Sequence, residues 1–378
     1  MRRKHARLAA AAAAGILTAG LSPAAAHASA HVSAQTAPAP AAASAQAQAA
    51  QSRTRLGAGE FADHSLLVFP GSHQPIYDFV DAARHSIDLT MYELDDTTME
   101  ADLIAAAQRG VYVQVILDGR VGPGSKYYQP GYDELKAGGV HVEWSNPAYY
   151  YTHQKTLTVD GRESLIMTGN LDSYYYDSDR DYAIFDTDRA DVRAIEQTFG
   201  ADFAYKPITP SAGSGDLVWS PTTAESRILD VINGAHRTLL VEQEEMYDTD
   251  VINALIAAAN RGVQVKLAII DECDLYPYLN QLLAAGVRIS LNNTATDPLY
   301  THAKAFVADY GLRDERIEVG SINISNTSLT QNRELGVVLD AYGPHNRTVI
   351  DTLQNVITSD FAGGRTYTAT TDPTCSDD

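Results

Sequence analysis

The 378-residue chain has little cysteine, little positive charge and no late hydrophobic run, and each shortage excludes something. Two cysteines, Cys273 and Cys375, are too few for a disulfide scaffold to replace a packed core. In an exported chain they could pair and pin the C-terminal tail. Two free thiols fit nearly as well, because sequence does not give the Cα separation. Against 48 Asp and Glu stand only 28 Lys and Arg, a formal charge of −20. Such a surface repels phosphate backbones and disfavours unspecific nucleic-acid binding. After the first 21 residues no segment is apolar enough for long enough to span a bilayer. The rest is ordinary globular material, 45% hydrophobic and 20% charged, and long enough for two cores.

The N-terminus has the layout of a secretory leader. Arg2, Arg3, Lys4 and Arg7 precede an apolar run from Leu8 to Leu21, and Ala26-His27-Ala28 supplies small residues around a cleavable bond. The arginine pair leaves a twin-arginine route open. Without this segment, which holds four basic and no acidic residues, the chain stands at −24. The mature protein is therefore expected outside the cytoplasm. Residues 29–56, rich in Ala, Pro and Gln, read as a disordered linker, because they bury too little apolar surface to offset ordering entropy.

The remainder repeats itself. Ile76, Phe79, Val80 and Ala83 make one apolar helix face, and Ile228, Val231, Ile232 and Ala235 reproduce its spacing. Strands are predicted at Ile87 to Tyr92 and Thr238 to Glu242. Ala-rich helices follow, ending at Arg109-Gly110-Val111 and Arg261-Gly262-Val263, and lead into strands to Leu117 and Ile270. His85 and His236 stand 151 residues apart, and Gly110 and Gly262 stand 152 apart. A nearly constant offset over that length marks a duplication. The expected fold is α/β: two tandem lobes over 57–209 and 210–378, each with a mixed sheet. They pack about a pseudo-two-fold axis, with the active site at their interface.

Each lobe carries one constellation of polar residues. The first runs His153-Gln154-Lys155, Asp160, Gly169-Asn170-Leu171-Asp172 and Asp179-Arg180-Asp181. The second runs His302-Ala303-Lys304, Asp309, Gly320-Ser321-Ile322-Asn323 and Asn332-Arg333-Glu334. On a strand, residues i and i+2 face the same way, so each His projects beside its Lys. Two lobes brought together then offer two imidazoles and two ammonium groups around one pocket. The lysines hold a phosphate, one imidazole attacks phosphorus, and the other protonates the leaving oxygen. Asp181 and Glu334 are candidates to orient the rings. This chemistry requires no metal or other cofactor. Tyr149 to Tyr151 and Tyr174 to Tyr176 read either as cleft lining or as packing. Trp144 and Trp219 read as core, His85 and His236 as helix-end packing. The run Glu242-Gln243-Glu244-Glu245 reads as a solvated strand end or one side of the cleft.

HxKxxxxD followed by GSxN, present twice, resembles the phospholipase D superfamily over about Phe61 to Phe361. The second copy matches fully, through His302, Lys304, Asp309, Gly320, Ser321, Asn323 and Glu334. In the first, Asn170 falls at the Ser position, Asp172 at the Asn position and Asp181 at the Glu position. The resemblance implies a catalytic set of His153, Lys155, Asp160, Asp181, His302, Lys304, Asp309 and Glu334. It implies phosphate contacts from Lys155, Lys304, Asn170, Ser321 and Asn323. The expected activity is a phospholipase D-type phosphodiesterase, cleaving or transferring at the headgroup-side phosphodiester of phospholipids through a phosphohistidine. Its expected partners are a phospholipid or other phosphodiester and, transiently, a membrane or micelle surface, with the protein itself a monomer. A metal-independent endonuclease of the same superfamily and a non-catalytic phosphate- or headgroup-binding protein are the alternatives. A cardiolipin synthase-like transferase fits less well on this reading, for want of membrane helices.

Overall fold

The computed structural model describes residues 64–294, 297–343 and 346–369. The leader expected to Ala28, the linker expected over 29–56 and the half-cystine candidate Cys375 lie outside the described residues. The first half runs β1 (Leu66–Phe69), α1 (Gln74–Asp81), β2 (Ser86–Met91), β3 (Leu94–Asp95), α2 (Thr97–Gln108), β4 (Tyr112–Leu117), α3 (Tyr128–Ala137), β5 (His141–Trp144), β6 (Thr156–Val159), β7 (Glu163–Met167), β8 (Leu171–Asp172), β9 (Asp179–Asp186) and α4 (Arg189–Phe203). The second runs β10 (Leu217–Ser220), α5 (Ala224–Gly234), β11 (Thr238–Gln243), α6 (Thr249–Asn260), β12 (Gln264–Ile270), α7 (Tyr276–Ala284), β13 (Arg288–Asn292), β14 (Tyr300–Thr301), β15 (Lys304–Ala308), β16 (Arg316–Gly320), α8 (Asn326–Thr330), β17 (Glu334–Asp340), α9 (Asn346–Gly363) and β18 (Arg365–Thr366).

The duplication is visible strand by strand. One sheet is ordered β1-β9-β7-β6-β2-β4-β5, and the other β10-β17-β16-β15-β11-β12-β13, extended by β18. In each, the β2-β4-β5 or β11-β12-β13 block is parallel and the remaining pairs are antiparallel. Local signals repeat as well. Asp96 caps α2 by accepting from the amides of Thr98 and Met99, and Asp248 caps α6 from those of Asp250 and Val251. Gly110 and Gly262 end these helices at φ of 93° and 92°, where a side chain would be strained.

Three cores follow from strand alternation. Helices α1–α3 cover one face of the first sheet through Ile76, Phe79, Leu103 and Leu135. Helices α5–α7 cover the second through Ile228, Leu255 and Leu279. The opposite faces meet in a shared core that includes Tyr182, Ile184, Trp219, Val307, Ile317 and Val319, joined by Ile195 of α4 and Leu353 of α9. Each large apolar side chain buried there contributes roughly 1.5–3 kcal/mol. Trp219 is core, as expected, while Trp144 is only partly buried and stacks on Tyr132 at 4.2 Å.

Where the halves meet, they exchange backbone. β14 pairs in parallel with β9 of the other half, Thr301 opposite Arg180. In the mirror-image contact, Thr152 bridges in parallel to Arg333. Both arginines also cross over by side chain. Arg333 Nε donates to Asp202 of α4 at 2.7 Å, and Arg180 Nε donates to Asp360 of α9 at 2.6 Å. Arg333 is fully buried, so Asp202→Ala leaves a desolvated guanidinium without its counter-ion. Urea unfolding of Asp202→Ala should show a loss of about 3–5 kcal/mol. A loss below about 1 kcal/mol would mean the crossed pairs do not hold the halves.

Candidate active site

The His-x-Lys segments stand at the mouths of β6 and β15, the first ending just before its strand and the second with Lys304 as the first residue of its own. His153 and Gln154 precede β6, because both their amides donate to the carbonyl of Arg333, at 2.9 Å each. The chain leaves its own sheet to pair with the other half, then enters its own strand at Thr156. Lys155 Nζ turns back to donate to the His153 carbonyl at 2.7 Å, and Lys304 does the same to His302.

Each imidazole is held by a carboxylate from the opposite half. His153 Nδ1 donates to Glu334 Oε2 at 2.9 Å, and His302 Nδ1 donates to Asp181 Oδ1 at 2.9 Å. This fixes the tautomer and turns each Nε2 toward chemistry. Glu334 is itself held by Ser328 Oγ at 2.6 Å and Asn332 Nδ2 at 2.9 Å, and Asp181 by Thr168 Oγ1 at 2.6 Å.

The two rings are not equivalent. Burial, reinforced by Lys155, pushes His153 down to about 4 despite Glu334. Burial and Lys304 also press on His302, but Asp181 and Glu244 outweigh them and its pKa rises. His153 is therefore a neutral imidazole and His302 the better-retained acid. Lys155, buried and facing Lys304, falls to about 7.

The backbone corrects the alignment of the GSxN element. Met167 pairs with Ala183 as Gly320 pairs with Gly336, and the amides of Thr168 and Ser321 donate to the carbonyls of Tyr182 and Leu335. Thr168 thus matches Ser321, and Asn170 matches Asn323. The first copy keeps its amide, and Asp172 does not take the Asn position. Asn170 donates to Glu93 at 3.1 Å, and Asn323 to Glu244 at 3.3 Å. Ser321 is turned away from the pocket: its Oγ exchanges hydrogen bonds with Leu335 backbone, and its carbonyl lies 3.2 Å from His153 Nδ1.

Asp160 and Asp309, read with the catalytic set, are placed elsewhere. Each follows its strand in the left-handed region at φ 54°. Asp160 accepts from the amides of Arg84, His85 and Ser86, and Asp309 from those of His236, Arg237 and Thr238. With the four residues of β6 between them, Asp160 lies five steps from Lys155, roughly 16 Å at ~3.3 Å per residue. These aspartates tie the far ends of the central strands, and the matching histidines serve through their amides.

Of the two readings of the acidic run at the end of β11, a solvated strand end fails and one side of the cleft holds. Glu242 and Gln243 are fully buried, and Glu242 accepts from Tyr182 OH at 2.5 Å. Glu244 enters the site, where it accepts from Lys304 Nζ at 2.9 Å and Tyr300 OH at 3.0 Å and lies 3.6 Å from His302 Nε2. The register of β2 and β11 puts Tyr92 in the matching place, its ring 4.6 Å from that of His153 and 5.0 Å from Lys155 Nζ. Tyr92 was missed from sequence and Glu244 was named only within that run, although extending the 152-residue repeat past the strands pairs the two. Of the flanking tyrosines, Tyr151 packs on Tyr92 at 5.7 Å, while Tyr149 packs on Arg333 and Tyr176 donates to the cap Asp96.

A family model described as "Cardiolipin synthase, PLD-like domain" matches residues 76–203 and again 228–360. The chain belongs to the phospholipase D superfamily. Cardiolipin synthase B of Escherichia coli is 26% identical over 310 residues, which cover 69% of this chain and 71% of that protein. Among solved structures, phosphatidylserine synthase of Haemophilus influenzae superposes with a TM-score of 0.59 at 11% identity, over 78% of this chain and 85% of that one. Polyphosphate kinase of Porphyromonas gingivalis gives 0.61 at 18% identity, over 78% of this chain but half of the kinase. At these identities the two structures speak for the fold alone. Family membership supports phosphodiester cleavage or transfer as the general activity.

Two variants separate the site from its scaffold. Asp181→Asn removes the anion that raises His302, so the alkaline limb of the activity profile should move down by roughly one pH unit or more. An unmoved limb would detach that limb from His302. Asp309→Ala should cost on the order of 3 kcal/mol in thermal or urea unfolding, with turnover per folded molecule retained.

Proposed function

We propose that the protein is a phospholipase D-type phosphatidyl transferase or hydrolase acting at the headgroup-side phosphodiester of phospholipids through a phosphohistidine. The crossed pair of imidazoles, each held at Nδ1 by a carboxylate of the other half, carries this reading. His153 is the nucleophile, because it is neutral where it stands, and His302 is the general acid. His153 Nε2 forms a bond to phosphorus as the bond to the leaving alcohol oxygen breaks, and His302 Nε2 delivers its proton to that oxygen. Neutral His302 then takes a proton from water or an acceptor alcohol, whose oxygen attacks phosphorus and frees His153. Lys155, and Asn170 from its place matching Asn323, offer donors to the non-bridging oxygens as they gain charge.

The lipid class rests on the named activity of cardiolipin synthase B, which also gives weight to transfer alongside hydrolysis. The acidic net charge favours lipid over a nucleic-acid backbone. The basic and apolar leader supports export, so we place the protein outside the cytoplasm. No helix among the described residues is long and apolar enough to cross a membrane, which suits transient contact with a lipid surface.

With EDTA present, wild-type protein should convert mixed phospholipid micelles and ethanol to phosphatidylethanol, and His302→Asn should not. His302→Asn should also accumulate a phosphoryl adduct, absent from His153→Asn. An adduct trapped by His153→Asn alone would reverse the roles. Cleavage of single-stranded DNA without lipid turnover would move the substrate to nucleic acid.

A further inference from the structure

Within the phosphodiester reading, the two halves differ most at one pair of positions, Tyr92 and Glu244. We infer that Glu244 is a specificity-determining residue: its carboxylate occupies the second half's anion-binding groups, so that the pocket accepts a singly charged phosphodiester and rejects doubly charged phosphate.

The contacts of Glu244 are those a phosphate oxygen would make. Its Oε2 takes Lys304 Nζ at 2.9 Å and Asn323 Nδ2 at 3.3 Å and lies 3.6 Å from His302 Nε2, while Oε1 takes Tyr300 OH at 3.0 Å. These donors outweigh burial and hold its carboxyl well below the usual range, so it stays an anion. In the first half the matching Tyr92 offers a ring and no charge. Among the described residues Lys155 makes no ion pair, its Nζ meeting only the His153 carbonyl and the Tyr92 face.

Charge matching follows. Asp181 and Glu334 are already committed to imidazoles. His302 matches Asp181 and Lys304 matches Glu244, while Glu334 stands against a neutral His153 and offsets Lys155, so the site holds no positive surplus and each further negative charge on the incoming phosphate goes unmatched. A phosphodiester carries one negative charge, whereas a phosphomonoester or inorganic phosphate carries nearly two above pH 7. Neighbouring Glu93 and Glu245, raised by burial to about 7 and about 8, add negative charge wherever they ionise and so oppose a second charge further. The phosphomonoester released on hydrolysis is thus held weakly, and the diester seats on the side of Lys155 and His153.

The test is calorimetric binding of inorganic phosphate and of dimethyl phosphate at pH 7.5, with no turnover required. Glu244→Gln keeps the shape and removes the charge. It should tighten inorganic phosphate by about tenfold or more, and dimethyl phosphate by distinctly less. Tyr92→Glu, which sets a second carboxylate in the matching place, should weaken inorganic phosphate and covers the case in which Glu244→Gln does not fold. Unchanged or weaker phosphate binding by Glu244→Gln, equal tightening of both anions, or unchanged phosphate binding by Tyr92→Glu would overturn the assignment. A protein that shows the expected anion pattern but forms no phosphatidylethanol would instead sink the lipid reading and leave this one standing.

Discussion

The site depends on a backbone exchange before it depends on any side chain. The amides of His153 and Gln154 are bound to the carbonyl of Arg333, and Thr301 is bound in register with Arg180. Next along the chain from those arginines stand Glu334 and Asp181. Because the exchange sets each His entrance one residue from the opposite carboxylate, the 2.9 Å contacts to Nδ1 follow from strand register. The buried ion pairs of the same arginines with Asp202 and Asp360 brace this register from the helices behind. Close backbone packing is part of it: a Cβ on Gly320 would stand 2.3 Å from Gly336 Cα, and one on Gly169 would stand 2.6 Å from Asp181. Neither half contains a finished site.

A symmetric scaffold carries an asymmetric pocket. Two copies of one strand order deliver two equivalent His-Lys pairs, yet the residues opposite them have diverged. Tyr92 gives the first half an aromatic, uncharged wall, and Glu244 gives the second a carboxylate. The burial of both rings is similar, so the difference in proton affinity comes from the charges around them. Phosphoryl transfer needs that difference, since one ring must begin without a proton on Nε2 and the other with one.

Much of this was legible in the chain. Helix faces, the glycine stops at Gly110 and Gly262 and the recurring His-x-Lys spacing all survive in one dimension, because local periodicity and short motifs encode them. The strands predicted at Ile87 to Tyr92 and Thr238 to Glu242 match β2 and β11 to within a residue. Other features required pairing partners. Gly169 drew the first GSxN element two residues out of register, since loops of unequal length change the repeat offset from 149 at His153 to 153 at Asp181. Only the ladder puts Asn170 opposite Asn323. Asp160 and Asp309 share a motif with the site residues but serve the strand ends, a division that spacing alone does not reveal. Glu244 was legible only as part of an acidic run that composition leaves open between a solvated strand end and one side of the cleft.

The most direct test of the crossed, unequal pair is the protonation state of its two imidazoles. Nitrogen-15 NMR of ring-labelled protein, with His153→Asn and His302→Asn as assignment controls, would follow both rings from pH 5 to 8. The structure predicts that His153 stays neutral throughout, protonated on Nδ1 only, while His302 remains cationic above the ordinary imidazole midpoint near ~6.5. Two rings titrating together near that midpoint, or His153 holding the charge while His302 is neutral, would contradict it.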